Sequence, residues 1–62
     1  MYYHTAINRL KNEFRIDLDN PKTTENVVRD LLWNNPRITR VVKNQLLWAF
    51  RRYREERGLP IC

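Results

Sequence analysis

The chain has 62 residues, a net charge of +5 and one cysteine, Cys62. A chain this short buries only about 60% of its unfolded surface, so one small domain of marginal stability is the most it can build. An intrachain disulfide is excluded, one histidine and one cysteine cannot supply a zinc shell, and no apolar run approaches the ~20 residues a membrane span needs.

The N-terminus turns polar at once, so no secretory leader is expected, and a lone cysteine fits a reducing, cytoplasmic setting. Charge is unevenly spread. Residues 1–35 carry five basic and five acidic groups, whereas residues 36–62 carry seven basic and two acidic ones. Any anionic partner is therefore expected at the C-terminal half.

Residues 2–14 read as an amphipathic helix in which Tyr3, Ala6, Ile7, Leu10 and Phe14 share one face. Residues 15–22 follow as an extended connector, with Ile16 and Leu18 tucked under the helices. Asp17, Asp19 and Asn20 are similar to the start of a calcium loop, but its glycine and closing glutamate are absent, so a capped turn is expected. A second helix over 23–34 starts either at Asn20-Pro21 or at the Thr23-Thr24 pair, with Val27, Val28, Leu31 and Leu32 as its apolar stripe. Trp33 falls well round from that stripe.

The third helix, 36–57, organises the rest. Asn35 and Pro36 suit its first turn, Gly58 suits a left-handed stop, and residues 58–62 form a tail. It spans ~33 Å at 1.5 Å per residue, so it overhangs its two shorter neighbours. Ile38, Val42, Leu46, Ala49 and Tyr53 form its expected core face, with Val41 and Phe50 on the flanks. Leu10, Phe14, Leu31, Val42, Leu46 and Ala49 are expected to be buried together. Arg40, Lys43, Leu47, Arg51 and Arg54 are expected on the opposite face.

The fragment from Leu31 to Thr39 resembles the entry to many winged helix-turn-helix domains, where an asparagine-proline turn follows the first helix. The resemblance covers nine residues; no glycine-containing turn or hairpin wing follows it here.

The fold expected is an all-α three-helix bundle with a long C-terminal helix, completed by dimerisation. Trp33 and Trp48 lie off their helices' apolar stripes, and Phe50 and Tyr53 lie towards the overhang; these four are the expected interface aromatics. Nothing points to catalysis: His4 has no nucleophile placed beside it, Cys62 sits on a short tail, and the lone glycine excludes a phosphate loop. No cofactor, metal or membrane is expected. The leading expectation is a cytoplasmic regulatory or adaptor protein that binds another protein and forms a homodimer, of the sort found among phage and plasmid accessory proteins. The alternative is a DNA-binding regulator whose basic face carries Arg40, Lys43, Arg51 and Arg54.

Overall fold

The computed structural model describes residues 2–59. Among these there are three helical runs and no strand. Helix α1, Tyr3–Asn8, passes directly into a π-helical turn, Arg9–Glu13. Helix α2 is Glu25–Trp33 and helix α3 is Arg40–Glu56. Both α1 and α2 pack on α3.

Helices α2 and α3 each begin four residues after a proline, later than the Asn20-Pro21 and Asn35-Pro36 signals imply. The cause is the same at both places. Asn20 Oδ1 accepts from the Lys22 N–H at 2.9 Å, and Asn35 Oδ1 accepts from the Arg37 N–H at 2.9 Å. Each asparagine closes a tight turn through the proline, which diverts its side chain from capping a helix. A threonine then takes the N-cap position with extended backbone, Thr24 for α2 and Thr39 for α3. Thr39 Oγ1 accepts from the Val42 N–H at 3.3 Å, satisfying one otherwise unpaired donor. Asn-Pro-x-x-Thr is thus one punctuation mark used twice.

The first helical run ends differently. The Phe14 N–H reaches the Arg9 carbonyl five residues back at 3.1 Å, and the Ile16 N–H reaches the Leu10 carbonyl six residues back at 2.9 Å. This closure is one residue wider than the usual helix stop, and it needs left-handed backbone at Arg15, whose φ is 54°. At the end of α3, Gly58 supplies the expected left-handed residue with φ of 68°. Leu59 N–H donates to the Arg54 carbonyl at 2.9 Å and Gly58 N–H to the Glu55 carbonyl at 3.2 Å, completing a Schellman stop. The tail's Pro60 and Ile61, expected to fold back, and the thiol of Cys62 lie outside the described residues.

The core joins Ala6, Ile7 and Leu10 of the first helical run, Ile16 and Leu18 of the connector, Val28 and Leu32 of α2, and the inner arc of α3. That arc is Leu46, Leu47, Ala49, Phe50, Tyr53 and Arg54. It is wider than the expected stripe and turned by about 60° on a wheel of ~100° per residue. The rotation follows from packing on two sides, since α1 and the connector take one flank while α2 takes the other. Two expectations fail as a result. Leu47 is 6% exposed, covered on the α2 side, and Arg54 is 0% exposed. Leu31, expected in the core, is 49% exposed because α2 meets α3 along the Val28–Leu32 line. Phe50 and Tyr53 are buried by their own chain, so neither stands open for a partner.

Arg54 ties the connector to α3. Its Nη1 donates to the Leu18 carbonyl at 3.1 Å and the Asn20 carbonyl at 2.6 Å, and its guanidinium lies 5.4 Å from the Phe50 ring centre. Next to it, Tyr53 OH donates to Asp19 Oδ1 at 3.0 Å. The acidic run is consumed in the same turn, for Asp17 Oδ1 accepts from the Asp19 N–H at 3.2 Å.

These contacts set two stability expectations. Arg54→Met leaves two connector carbonyls short of a charged donor and should cost about 2 kcal/mol or more, while Arg40→Gln should stay within ~0.5 kcal/mol. Chemical denaturation of both variants checks the contrast. Arg15→Gly should raise stability by up to ~1 kcal/mol by relieving left-handed backbone, and Gly58→Ala should lower it by ~1 kcal/mol for the converse reason. Thermal melts of the two proteins should therefore move in opposite directions.

Candidate binding groove

A groove of about 470 Å³ runs between α2 and α3, lined by Arg29 and Trp33 from one helix and Asn44, Leu47, Trp48 and Arg51 from the other. It exists because the α2–α3 contact is narrow. Val28 and Leu32 point into α3, so Arg29 and Trp33, one position further round, stand beside the seam. On α3, Asn44, Leu47, Trp48 and Arg51 recur at three- and four-residue spacing and form the facing wall. Leu47 makes an apolar floor. Trp33 is 42% exposed and Trp48 is 49% exposed.

Both indoles are held by cations. Lys43 Nζ lies 5.7 Å from the Trp33 ring centre. The Arg52 guanidinium lies 5.6 Å from Trp48 and 5.2 Å from Tyr3, and the Tyr3 and Trp48 rings meet edge to face at 6.1 Å. Such contacts contribute ~0.5–1 kcal/mol each at exposed sites and restrict the rings' rotation.

Glu25 sets the electrostatics of the groove's edge. Its Oε1 accepts from Arg29 Nη2 at 2.9 Å and from Arg51 Nε at 2.8 Å, with Arg51 Nη2 on the same oxygen. The hydrogen bond from Arg51 is the main reason its carboxyl is held below the ordinary value, with the two guanidinium charges adding to it. One carboxylate thus clips the first turn of α2 to the middle of α3 and fixes both groove arginines. The triad keeps a net charge of +1.

The residues expected on the basic face are therefore divided. Arg40 is exposed, Lys43 is half-buried beside Trp33, and Arg51 is at the groove, while Leu47 and Arg54 are interior. Of the expected interface aromatics, Trp33 and Trp48 meet at the groove, while Phe50 and Tyr53 do not. Asn44, Arg29 and Glu25 were not anticipated from the sequence. The four-residue spacing of Glu25 and Arg29 is a signal for their pairing; the tie to Arg51 is not visible in spacing.

A second, more polar recess of about 370 Å³ lies between α1 and the end of α3, lined in part by Tyr3, Lys11, Tyr53 and Arg57. Burial first, and then the bond to Asp19, pushes the Tyr53 phenol above its ordinary value, so it serves there as a neutral donor. Among the described residues no group of three or more His, Cys, Asp and Glu side chains is placed to hold a metal ion, and no helix is long and apolar enough to cross a membrane. Comparison of the chain with known protein families, with characterised proteins and with solved structures gives no match.

Because the Glu25 carboxyl is lowered from 4.5 in the folded chain, its stabilisation is complete above that value. It is lost as pH falls through the lower folded-state value. Arg29 and Arg51 have side chains 46% and 48% exposed, so solvent screens the effect to a modest size. Thermal melts from pH 7 down to below pH ~4 should show a shallower acid decline for Glu25→Gln than for the parent. Equal slopes would detach Glu25 from acid stability.

Proposed function

We propose that this chain is a small, non-enzymatic regulatory or adaptor protein that binds another protein through the α2–α3 groove. The observation that carries the reading is the pairing of two half-exposed tryptophans with two arginines over an apolar floor. Tryptophan and arginine supply a disproportionate share of binding energy at protein interfaces, chiefly at central, well-packed positions. Rings already held by Lys43, Arg52 and Tyr3 lose little freedom on binding, which keeps the entropic cost low. This reading places the protein in the cytoplasm, in a role like that of phage or plasmid accessory proteins.

The alternative is a nucleic-acid regulator. It has less in its favour, because the five-residue face loses Leu47 and Arg54 to the interior and Arg51 to Glu25. Arg40 and Lys43 then carry most of what remains, and two phosphate contacts give only weak, salt-sensitive affinity. Homodimerisation is part of the proposal in altered form: Phe50 and Tyr53 are committed within the chain, so a second copy would use the groove or the Val27–Leu31 flank of α2.

Selection from a library of random displayed peptides tests this reading. Peptides should be retained by the parent and lost by Trp48→Ala, while circular dichroism of the variant stays helical. Sedimentation with duplex DNA at two salt concentrations supplies the opposing arm. Failure to retain any peptide, together with steeply salt-dependent sedimentation with DNA, would transfer the function to nucleic-acid binding.

A further inference from the structure

Resting on that reading, we infer that the groove's natural occupant is an acidic linear segment of a partner protein, carrying bulky apolar anchor side chains flanked by aspartate or glutamate. The lining contains Arg29 and Arg51 and no carboxylate. Lys43 stands over Trp33 at the same edge, and Arg40 lies one helical turn before Asn44 on the same line of α3. Against these four cations stands Glu25, whose oxygen is already shared by two of them. The balance around the groove is therefore +3, counting Arg29, Arg40, Lys43 and Arg51 against Glu25. Glu55 lies one turn beyond Arg51 and outside the lining.

Shape sets the second half of the specificity. About 470 Å³ between two indoles and Leu47 has room for a pair of bulky apolar side chains, and is within the usual range for a ligand site. Asn44 is the one neutral polar group in the wall, suited to a main-chain N–H or C=O of a bound peptide. An apolar anchor excludes water from the floor, and carboxylates beside it meet arginine forks at the rim, where Arg–carboxylate pairing is bidentate and directional. A neutral apolar segment satisfies the floor and leaves the rim unmatched. A basic one meets repulsion from the same four cations.

Trp33 and Trp48 are the only tryptophans in the chain, so its intrinsic emission reports groove occupancy directly. The test uses three synthetic peptides with the same two phenylalanine anchors, flanked by glutamates, by glutamines or by lysines. The glutamate peptide should shift the emission and bind at least about tenfold more tightly than the glutamine peptide at low salt, with the advantage shrinking as salt rises. The lysine peptide should bind weakest. The double variant Arg40→Glu/Lys43→Glu places acidic groups in the first turn of α3, where the helix tolerates them, and should remove most of the glutamate peptide's advantage. Equal binding of glutamate and glutamine peptides, or a preference for lysine, overturns the acidic occupant while leaving a peptide groove in place. Tighter binding of an oligodeoxythymidylate than of the glutamate peptide also overturns it. Silence towards all three peptides, alongside an empty library selection, removes the groove reading itself.

Discussion

Burying a guanidinium is expensive, and this domain does so at the one place where its two halves must be joined. Removing an ion from water costs several kcal/mol even after relaxation. Arg54 recovers that cost through charge-assisted bonds to the Leu18 and Asn20 carbonyls and through the face of Phe50. The carbonyls belong to an irregular segment whose main chain would otherwise lie against the core without partners. Arg54 therefore satisfies a loop that has no helix or sheet to satisfy it. With the loop fixed, Ile16 and Leu18 reach the core, α1 lies along α3, and Phe50 and Tyr53 are covered without help from a second chain. An apolar residue at position 54 fills the space but leaves the loop's carbonyls to be matched elsewhere.

Helix content and order were readable in the sequence because apolar periodicity in α1 and α3 is strong, and because Gly58 has no better use than a left-handed stop. The phase of α3 was less readable. A single amphipathic stripe assumes one packing surface, whereas α3 receives neighbours on two sides, so Leu47 and Arg54 fall within its buried arc. Arginine at position 54 looks like solvent-side charge in any periodicity count; its role depends on carbonyls 34 and 36 residues away. The Asn-Pro pairs misled for a local reason. Asparagine before proline can cap a helix or close a turn, and here both copies close turns while threonine caps three or four residues later.

The groove was half legible. Trp33 and Trp48 lie off their stripes, and that displacement correctly places them at the surface, where both line one recess. Arg51 was recognised as outward-facing, yet its charge is moderated by a glutamate on another helix, 26 residues away. Long-range pairing of this kind has no periodic signature. It also changes the meaning of the basic face: what spacing presents as a stripe of free cations is, after folding, a structural clip at one end and a small cluster around Arg40 and Lys43 at the other.

The π turn at Arg9–Glu13 bears on how such a chain can drift. A π turn holds one residue more than the α-helical turn it replaces, as if an insertion had been absorbed without unwinding the helix. Absorbing it sets where Phe14 leaves the helix and hence where Ile16 and Leu18 enter the core. Loss of one residue between positions 9 and 13 returns the turn to α geometry but swings everything after it by ~100°. Leu18 and the Asn20 carbonyl then move out of reach of Arg54. Length is consequently frozen on this side of the connector, while substitutions at exposed Lys11, Asn12 and Glu13 remain open. Among descendants of this chain, gaps should avoid residues 9–20 and gather instead around the exposed turn at Pro36 and Arg37, which bears no core side chain.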